Sequence, residues 1–334
     1  MSPDPILLLG GSGVLGRSTA QHLHDAYPDV PLLIGSRDLT KAKKATAEIG
    51  AAEGVMLDLA AADLGLGERP VSAVATFFTD DKVAGLRFAL GRGVPHISIA
   101  SAIQDMATEA AAYIHTPDAA PVVLATEWLV GATTVPTLEF AKEFGRVRDI
   151  TIGALIDTQD TGGPTTAADL ESMAKAMPAA LTRRDGAYLW REGDEAKARF
   201  RAVDGTEMEA AAFSPFDIVG LATATGAPNV QFNLAMGVSS TRRRGEPLST
   251  EIIIELAGED HAGQPLRTRH AVVHPEGQMP LTALGIAMIL ERLLGLDGKP
   301  PTPPGLYFPY KLLAPTAYLA RLKQNGGMTL TLPA

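Results

Sequence analysis

The chain contains no cysteine. Disulfides, thiolate-held metals and cysteine nucleophiles are therefore excluded. Aromatic residues are scarce, at 5% of the sequence, whereas glycine occurs 33 times. Small side chains in place of large rings suit helices packed closely on a sheet. There is no surplus of positive charge: the formal net charge is −9. A nucleic-acid surface needs a dense Lys/Arg patch, and the one short basic cluster, Arg242-Arg243-Arg244 before Gly245, reads as an exposed turn. No apolar run reaches the roughly 18 residues needed to span a bilayer. The segment Met1–Pro5 has neither a basic stretch nor an apolar one, so no signal peptide is expected and a cytoplasmic location is. The seven histidines show no metal-ligand spacing, and no metal is expected.

A length of 334 residues fits about two domains. Up to residue 125 the chain alternates strand-like and helix-like segments. Ile6–Leu9 is wholly apolar, as expected of a strand buried on both faces. Gly13–Tyr27 reads as a helix ended by Pro28, and Val30–Ile34 as the next strand. Helical stretches at Leu39–Ile49, Val83–Arg92 and Gln104–Ile114 separate strands at Val55–Leu57, Val71–Phe78, His96–Ala100 and Val122–Ala125. Repeated βα units of this kind predict an α/β fold with a doubly wound parallel Rossmann sheet. Beyond residue 128, strand-like segments at Ile150–Ile156, Val230–Val238, Thr250–Leu256 and Leu266–Val273 predict a second α+β domain of mainly antiparallel sheet, with a helix near Thr166–Met177. Helices at Leu281–Leu294 and Leu312–Lys323 are expected to pack back on the first domain. The expected division is 1–127 plus 276–334 for nucleotide binding, and 128–275 for substrate and dimerisation.

Gly11-Ser12-Gly13-Val14-Leu15-Gly16 matches G-x-G-x-x-G and lies between a strand and a helix, the context the motif requires. Gly11 suits the tight turn, Gly13 admits a pyrophosphate, and Gly16 lets helix and strand pack closely. The helix N-terminus supplies N–H donors for the phosphates. The second strand ends in Gly35-Ser36-Arg37, with Arg37 21 residues after Gly16. A carboxylate there would favour the free ribose of NAD. A hydroxyl and a guanidinium, aided by Lys41, favour the 2′-phosphate of NADP(H). Asp38 or Ser36 is read as the cap of the next helix. Asp58 after the third strand, Phe77 after the fourth, and Ala100 and Ser101 after the fifth complete the expected cofactor contacts, since carboxyl ends of parallel strands face the ligand crevice.

With Gly11–Gly16, Gly35-Ser36-Arg37 and Lys41 in place, the sequence resembles the saccharopine dehydrogenase-like oxidoreductases. Gly93-Val94-Pro95-His96-Ile97-Ser98-Ile99, Trp128-Leu129-Val130-Gly131, the hairpin with Gly258 and Gly263, and Thr282-Ala283-Leu284-Gly285-Ile286-Ala287 extend the likeness. The resemblance implies an NAD(P)-dependent reductase with a Rossmann domain and an α/β substrate domain. Its expected reaction is hydride transfer to a small imine, carbonyl or conjugated double bond in the cleft between domains. The competing expectation is a non-catalytic NADP(H)-binding regulator or scaffold. A small-molecule substrate and a second copy of the chain are the expected partners.

A hydride transfer needs a proton source. Tyr307 and Lys311 have the Tyr-x-x-x-Lys spacing, but Pro309 between them argues for chance. The loop Asp157–Thr166 follows an apolar strand, and its Gly162-Gly163-Pro164 run can bring backbone near a ligand. Asp157 and Asp160 are the candidate proton donors, on the expectation that desolvation raises a carboxyl pKa; the alternative is that both cap the next helix. Arg267 and Arg269 share one strand face and His270 and His274 the other, one of which would suit an anionic substrate. Trp128, Phe213, Phe216 and Phe232 suit either a large apolar substrate or a core.

Overall fold

The computed structural model describes residues 3–50, 52–99, 103–160, 162 and 179–334. The chain divides into two compact units, one of 1–126 with 283–313, the other of 127–282 with 314–334.

The first unit is built on six strands: β1 (Ile6–Leu9), β2 (Leu32–Ser36), β3 (Ala52–Met56), β4 (Ala73–Thr76), β5 (His96–Ser98) and β6 (Pro121–Leu124). Helices α1 (Val14–Ala26), α2 (Leu39–Ile49), α3 (Ala84–Arg92) and α4 (Ile103–Tyr113) connect them. The sheet runs in the order β6-β5-β4-β1-β2-β3, with the strand Gly305–Tyr307 beyond β6, and every pairing is parallel. This is the Rossmann order, in which the chain reverses direction across the sheet between β1 and β4. All four side chains of β1 are fully buried, each contributing about 1.5–3 kcal/mol of hydrophobic stabilisation. Leu7 and Leu9 join Leu33, Val55, Val74 and Phe88 in one core cluster. The Tyr27 hydroxyl, just past α1, donates to Glu291 at 3.3 Å, tying the 283–313 segment to the unit it completes.

The second unit centres on β7 (Phe144–Asp157), a 14-residue strand. The hairpin β8 (Ala180–Arg184) with β9 (Ala187–Arg191), then β10 (Lys197–Arg201), β11 (Glu207–Ala212), β12 (Asn229–Gly237), β13 (Thr250–Asp260) and β14 (Pro265–His274) surround it. The order is β10-β11-β12-β7-β13-β14, followed by the strand Met328–Leu332. Only the β7–β12 pair is parallel; the others described are antiparallel. The β13–β14 hairpin closes on Asp260, whose Oδ1 accepts from the backbone N–H of Ala262 and of Gln264, both at 2.8 Å. Gly258 marks a register shift against β7, where a side chain would strike the Arg146 carbonyl. The shift gives the long strand pair its bend.

Two expectations are corrected here. Residues 314–334 do not complete the first unit. The helix Pro315–Gln324 buries Tyr318 and Leu322, and Met328–Leu332 pairs with β14. Ladder hydrogen bonds thus assign the C-terminus to the second unit, and the second unit begins at Glu127 and extends to Thr282. The arginine triplet is also no free turn. Arg242 and Arg243 lie on a short helix, Ser240–Arg243, paired with Asp157 and Asp204, and Arg244 pairs with Glu246. The helix expected near Thr166–Met177 lies outside the described residues.

Candidate functional site

The turn from β1 into α1 is a cradle in which side chains have no room. Gly10 takes a left-handed φ of 78° with Phe78 packed against it. A Cβ at Gly11 would lie 2.8 Å from the Leu8 carbonyl oxygen, and one at Gly16 would lie 2.5 Å from Gly11 Cα. Gly16 and Gly11 therefore weld α1 to the turn. Gly13 is different: it is exposed, and its Cβ would meet only the Gly10 oxygen, at 3.3 Å. That contact is tight but asks the turn to give by only a few tenths of an ångström, against the direct clashes at Gly11 and Gly16. Gly13 is the first residue outside α1, and no side chain caps the helix. The N–H groups of Val14, Leu15 and Gly16 have no intrahelical acceptors, and the half-buried Ser12 and Leu15 border them. Open donors, a positive helix end and a backbone without Cβ fit a dinucleotide pyrophosphate.

At the end of β2, Asp38 is the α2 cap, its carboxylate accepting from Thr40 N–H at 2.9 Å and Lys41 N–H at 3.3 Å. The Ser36 hydroxyl accepts from Asp38 N–H. The capping geometry turns Asp38 toward its own helix, while the Arg37 and Lys41 side chains are exposed. The Asp58 side chain closes a turn instead, accepting from Ala60 N–H at 2.9 Å. Phe77 extends the β4 pairing, its N–H donating to Leu9. It is half-buried, and its neighbour Phe78 covers Gly10. Ala100 and Ser101 lie outside the described residues.

Sequence reasoning missed a cavity of about 230 Å³ at the carboxyl ends of β4 and β5. Asp80, Asp81, Ser98, Asp105 and Glu109 line it beside Phe78. Glu109, on α4, is 7% exposed. Its Oε2 and the Ser98 hydroxyl lie close, yet neither closes a hydrogen bond of normal geometry. Burial, reinforced by the charges of Asp105 and Asp80, pushes the Glu109 carboxyl up to about 7. Beneath it the Thr76 hydroxyl meets His96 Nε2 at 3.2 Å, and burial lowers that imidazole to about 3, keeping it neutral. The one sequence signal for Glu109 was its spacing from Tyr113, four residues on and also buried, which puts both on one helix face.

In the second unit, the expectation for Asp157 is corrected. Its carboxylate is fully buried, and burial alone would raise its pKa. Hydrogen bonds from Ser239 and Gln159 and the Arg242 guanidinium at 2.6 Å outweigh that and hold it below the usual range. A carboxylate so held is an anchor between β7 and the Ser240–Arg243 helix, not a proton donor near neutral pH. Asp160 is a cap of another kind. Its Oδ2 accepts from Gln278 N–H at 2.8 Å and from the Thr250 hydroxyl at 3.0 Å. It thus caps the helix Gln278–Leu294, while its Oδ1 accepts from Gly162 N–H at 3.2 Å. The residues between, 161 and 163–166, lie outside the described residues.

The remaining expectations resolve in the same direction. Arg269 is buried against Glu255 and the Arg201 and Ala202 carbonyls, so it is committed to the sheet, while Arg267 is exposed. His270 stacks on Phe140 with centroids 4.0 Å apart, and His274 Nε2 contacts the Asn325 carbonyl. Trp128, Phe213 and Phe232 pack edge-on or tilted against one another, with centroids 5.1–6.0 Å apart. Tyr307 lies in a strand, its hydroxyl on the Pro303 carbonyl, and shares no helix with Lys311.

A strained turn in this unit was also missed. Leu129, Val130 and Gly131 take φ values of 49°, 55° and 91°. A left-handed valine costs on the order of 1–3 kcal/mol. The turn is held by Asp217, which accepts from Trp128 N–H at 2.6 Å, and by Glu127, which accepts from the Thr134 hydroxyl at 2.6 Å. Burial pushes the Asp217 carboxyl up to about 7. Among the described residues no helix is long and apolar enough to cross a membrane, and no cluster of His, Asp and Glu could hold a metal.

No protein-family model matches the chain, and no curated protein matches it in sequence. Solved structures match over nearly its whole length. Saccharopine dehydrogenase (L-Glu forming) from Saccharomyces cerevisiae superposes with a TM-score of 0.61 at 12% identity, covering 99% of this chain and 100% of that one. Homospermidine synthase from Legionella pneumophila, in complex with NAD, gives 0.63 at 8% identity, covering 99% and 92%. The chain has the saccharopine dehydrogenase-like fold, a Rossmann parallel sheet joined to a second, mixed sheet.

Proposed function

We propose that the chain is a nicotinamide-dinucleotide-dependent oxidoreductase that prefers NADP(H), reducing a small imine, carbonyl or conjugated double bond. The observation that carries the reading is Gly13: glycine at an exposed helix entrance where a side chain would crowd only the Gly10 carbonyl oxygen and otherwise face solvent. A backbone left bare toward solvent at a helix N-terminus is what a pyrophosphate needs. Val14, Leu15 and Gly16 N–H groups donate to the phosphates. Ser36 and Arg37 hold the 2′-phosphate, with Lys41 adding charge and Asp58 bordering the same edge, and Phe77 borders the ligand on the β4 side of the cradle. When bound, the dinucleotide supplies or accepts a hydride. The NAD-bound homospermidine synthase on the same fold supports the cofactor class.

A non-catalytic, NADP(H)-binding role is the second reading. The observation in its favour is that Asp157 and Asp160, the loop carboxylates best placed in sequence to give a proton, are both committed to structural bonds. Binding and turnover separate the readings. NADPH should bind in the micromolar range or tighter. Its absorbance at 340 nm should then fall when a panel of imines, aldehydes and enones is supplied to the enzyme. Tight binding with no oxidation by any class would favour the regulator.

A further inference from the structure

The cavity beside Glu109 has a chemistry the dinucleotide reading leaves unused. Four carboxyl groups line it, and among the described residues no Lys, Arg or His does. Two of its polar groups, Glu109 Oε2 and the Ser98 hydroxyl, are buried side by side, close enough for Ser98 to temper the rise in the Glu109 pKa, yet neither closes a hydrogen bond of normal geometry. Ser98 is 4% exposed and Glu109 7%. Unpartnered groups buried this deeply are rare unless something else satisfies them.

Topology says which part of a dinucleotide comes near. The cradle follows β1, next to β4, where strand order reverses, and Arg37 at the end of β2 marks the adenosine side. The other half of the ligand must extend over β4 and β5, whose carboxyl ends open into this cavity. That half ends in a ring that is cationic when oxidised and neutral when reduced.

We propose that the acidic cavity makes dinucleotide binding proton-linked and selective for redox state, the ionised Glu109 carboxylate favouring the cationic oxidised ring over the neutral reduced one. This rests on the dinucleotide reading of the cradle. The charged and titratable groups on the elements around Glu109 are Asp105 and Tyr113 on its own helix, Asp80, Asp81 and Lys82 on the loop after β4, Arg87 and Arg92 on α3 and His96 on β5. His96 stays neutral near pH 7, and Asp80 is engaged in capping Gly85 and Lys82 N–H. Glu109 is the member of the set poised to titrate near pH 7. A cation nearby lowers its pKa, so binding the oxidised form releases a proton and strengthens as pH rises through about 7. A neutral ring gives no such gain.

The test is calorimetric titration of the full chain with NADP+ and with NADPH at pH 6 and pH 8. The 2′-phosphate also titrates, near pH 6, but it is common to both ligands and cancels in the ratio of their affinities. The preference for NADP+ over NADPH should grow about 3–10-fold from pH 6 to pH 8, as expected for a one-unit shift at one site. Glu109→Gln should abolish that growth while both ligands still bind. The wild-type protein gives an independent reading. At pH 7, NADP+ binding should release more protons than NADPH binding, seen as a heat that varies more steeply with the buffer's ionisation enthalpy, because the release from the 2′-phosphate is common to both. A ratio unchanged between the two pH values, or a pH-dependent ratio that survives in Glu109→Gln, overturns the proposal and leaves the cofactor reading standing. Failure of both ligands to bind overturns both.

Discussion

Single residues divide into those the fold needs and those it does not. Arg37 is exposed at a strand end, so its removal should not disturb folding. A charge-assisted bidentate contact is worth about 1.5–3 kcal/mol. Arg37→Ala should then weaken NADPH binding by about 10–150-fold and leave NADH almost unchanged; equal losses for the two would remove the 2′-phosphate from the account. Asp157 is the reverse case. Breaking a buried pair costs on the order of 3–5 kcal/mol, so Asp157→Asn should lower the melting temperature by several degrees at pH 7 and leave NADPH affinity unaltered. Because its folded pKa is depressed, the stabilisation is present above the ordinary carboxylate pKa and disappears as pH falls through the folded value. The penalty of the substitution should shrink with it. Glu109 has the opposite sign. Its pKa is raised from 4.5 to about 7, so the fold loses stability as pH rises between those values. The loss amounts to about 3 kcal/mol by pH 8. Glu109→Gln should therefore be more stable than wild type at pH 8 and nearly equal to it at pH 4.5, by chemical denaturation. A variant destabilised at pH 8 and much less at pH 4.5 would show instead that the fold needs Glu109 in its ionised form.

At the scale of elements, the β1–α1 turn offers two glycines with different reasons to exist. Gly16→Ala places a Cβ against Gly11 Cα, and both melting temperature and dinucleotide affinity should fall. Gly13→Ala meets little within the protein, so the melting temperature should hold while NADPH affinity drops at least tenfold. A Gly13→Ala protein that binds NADPH normally would show the turn to be structural only. The turn, the Arg37 position and the parallel strands were legible in the sequence because each is local: an all-apolar strand such as Ile6–Leu9 and a glycine pattern declare themselves within a few residues. The second unit was harder. Strand β9 is short and exposed along most of its length. Strands β10 and β11 alternate over only five and six residues, with half-buried small side chains on much of the inner face, so the period is weak in the sequence. Met328–Leu332 gains its identity only from pairing with β14. Glu109 and Asp217 were invisible as sites because what distinguishes them, burial against other elements, is tertiary. Asp157 misled for the same reason: the sequence shows a carboxylate after an apolar strand, but not that Arg242, 85 residues on, neutralises it.

At the scale of the whole molecule, the chain joins a Rossmann unit to a mixed-sheet unit and crosses between them three times, near residues 126, 282 and 313. The last crossing makes the C-terminus part of the second sheet. Deleting 314–334 should therefore destabilise the second unit, exposing the β14 edge and the surface that buries Tyr318, with the first unit's stability less affected. Hydrogen exchange resolved by segment would show which unit opens. The central claim, however, concerns the first unit and its ligand. Titration of the purified chain with NADPH and NADH in parallel, followed by the enhancement of nicotinamide fluorescence or by heat, tests it most directly. The account predicts saturable one-to-one binding of NADPH, tighter than that of NADH by at least tenfold and weakened at least tenfold in Gly13→Ala. Absence of saturable binding by either dinucleotide, in protein shown to be folded, would contradict it.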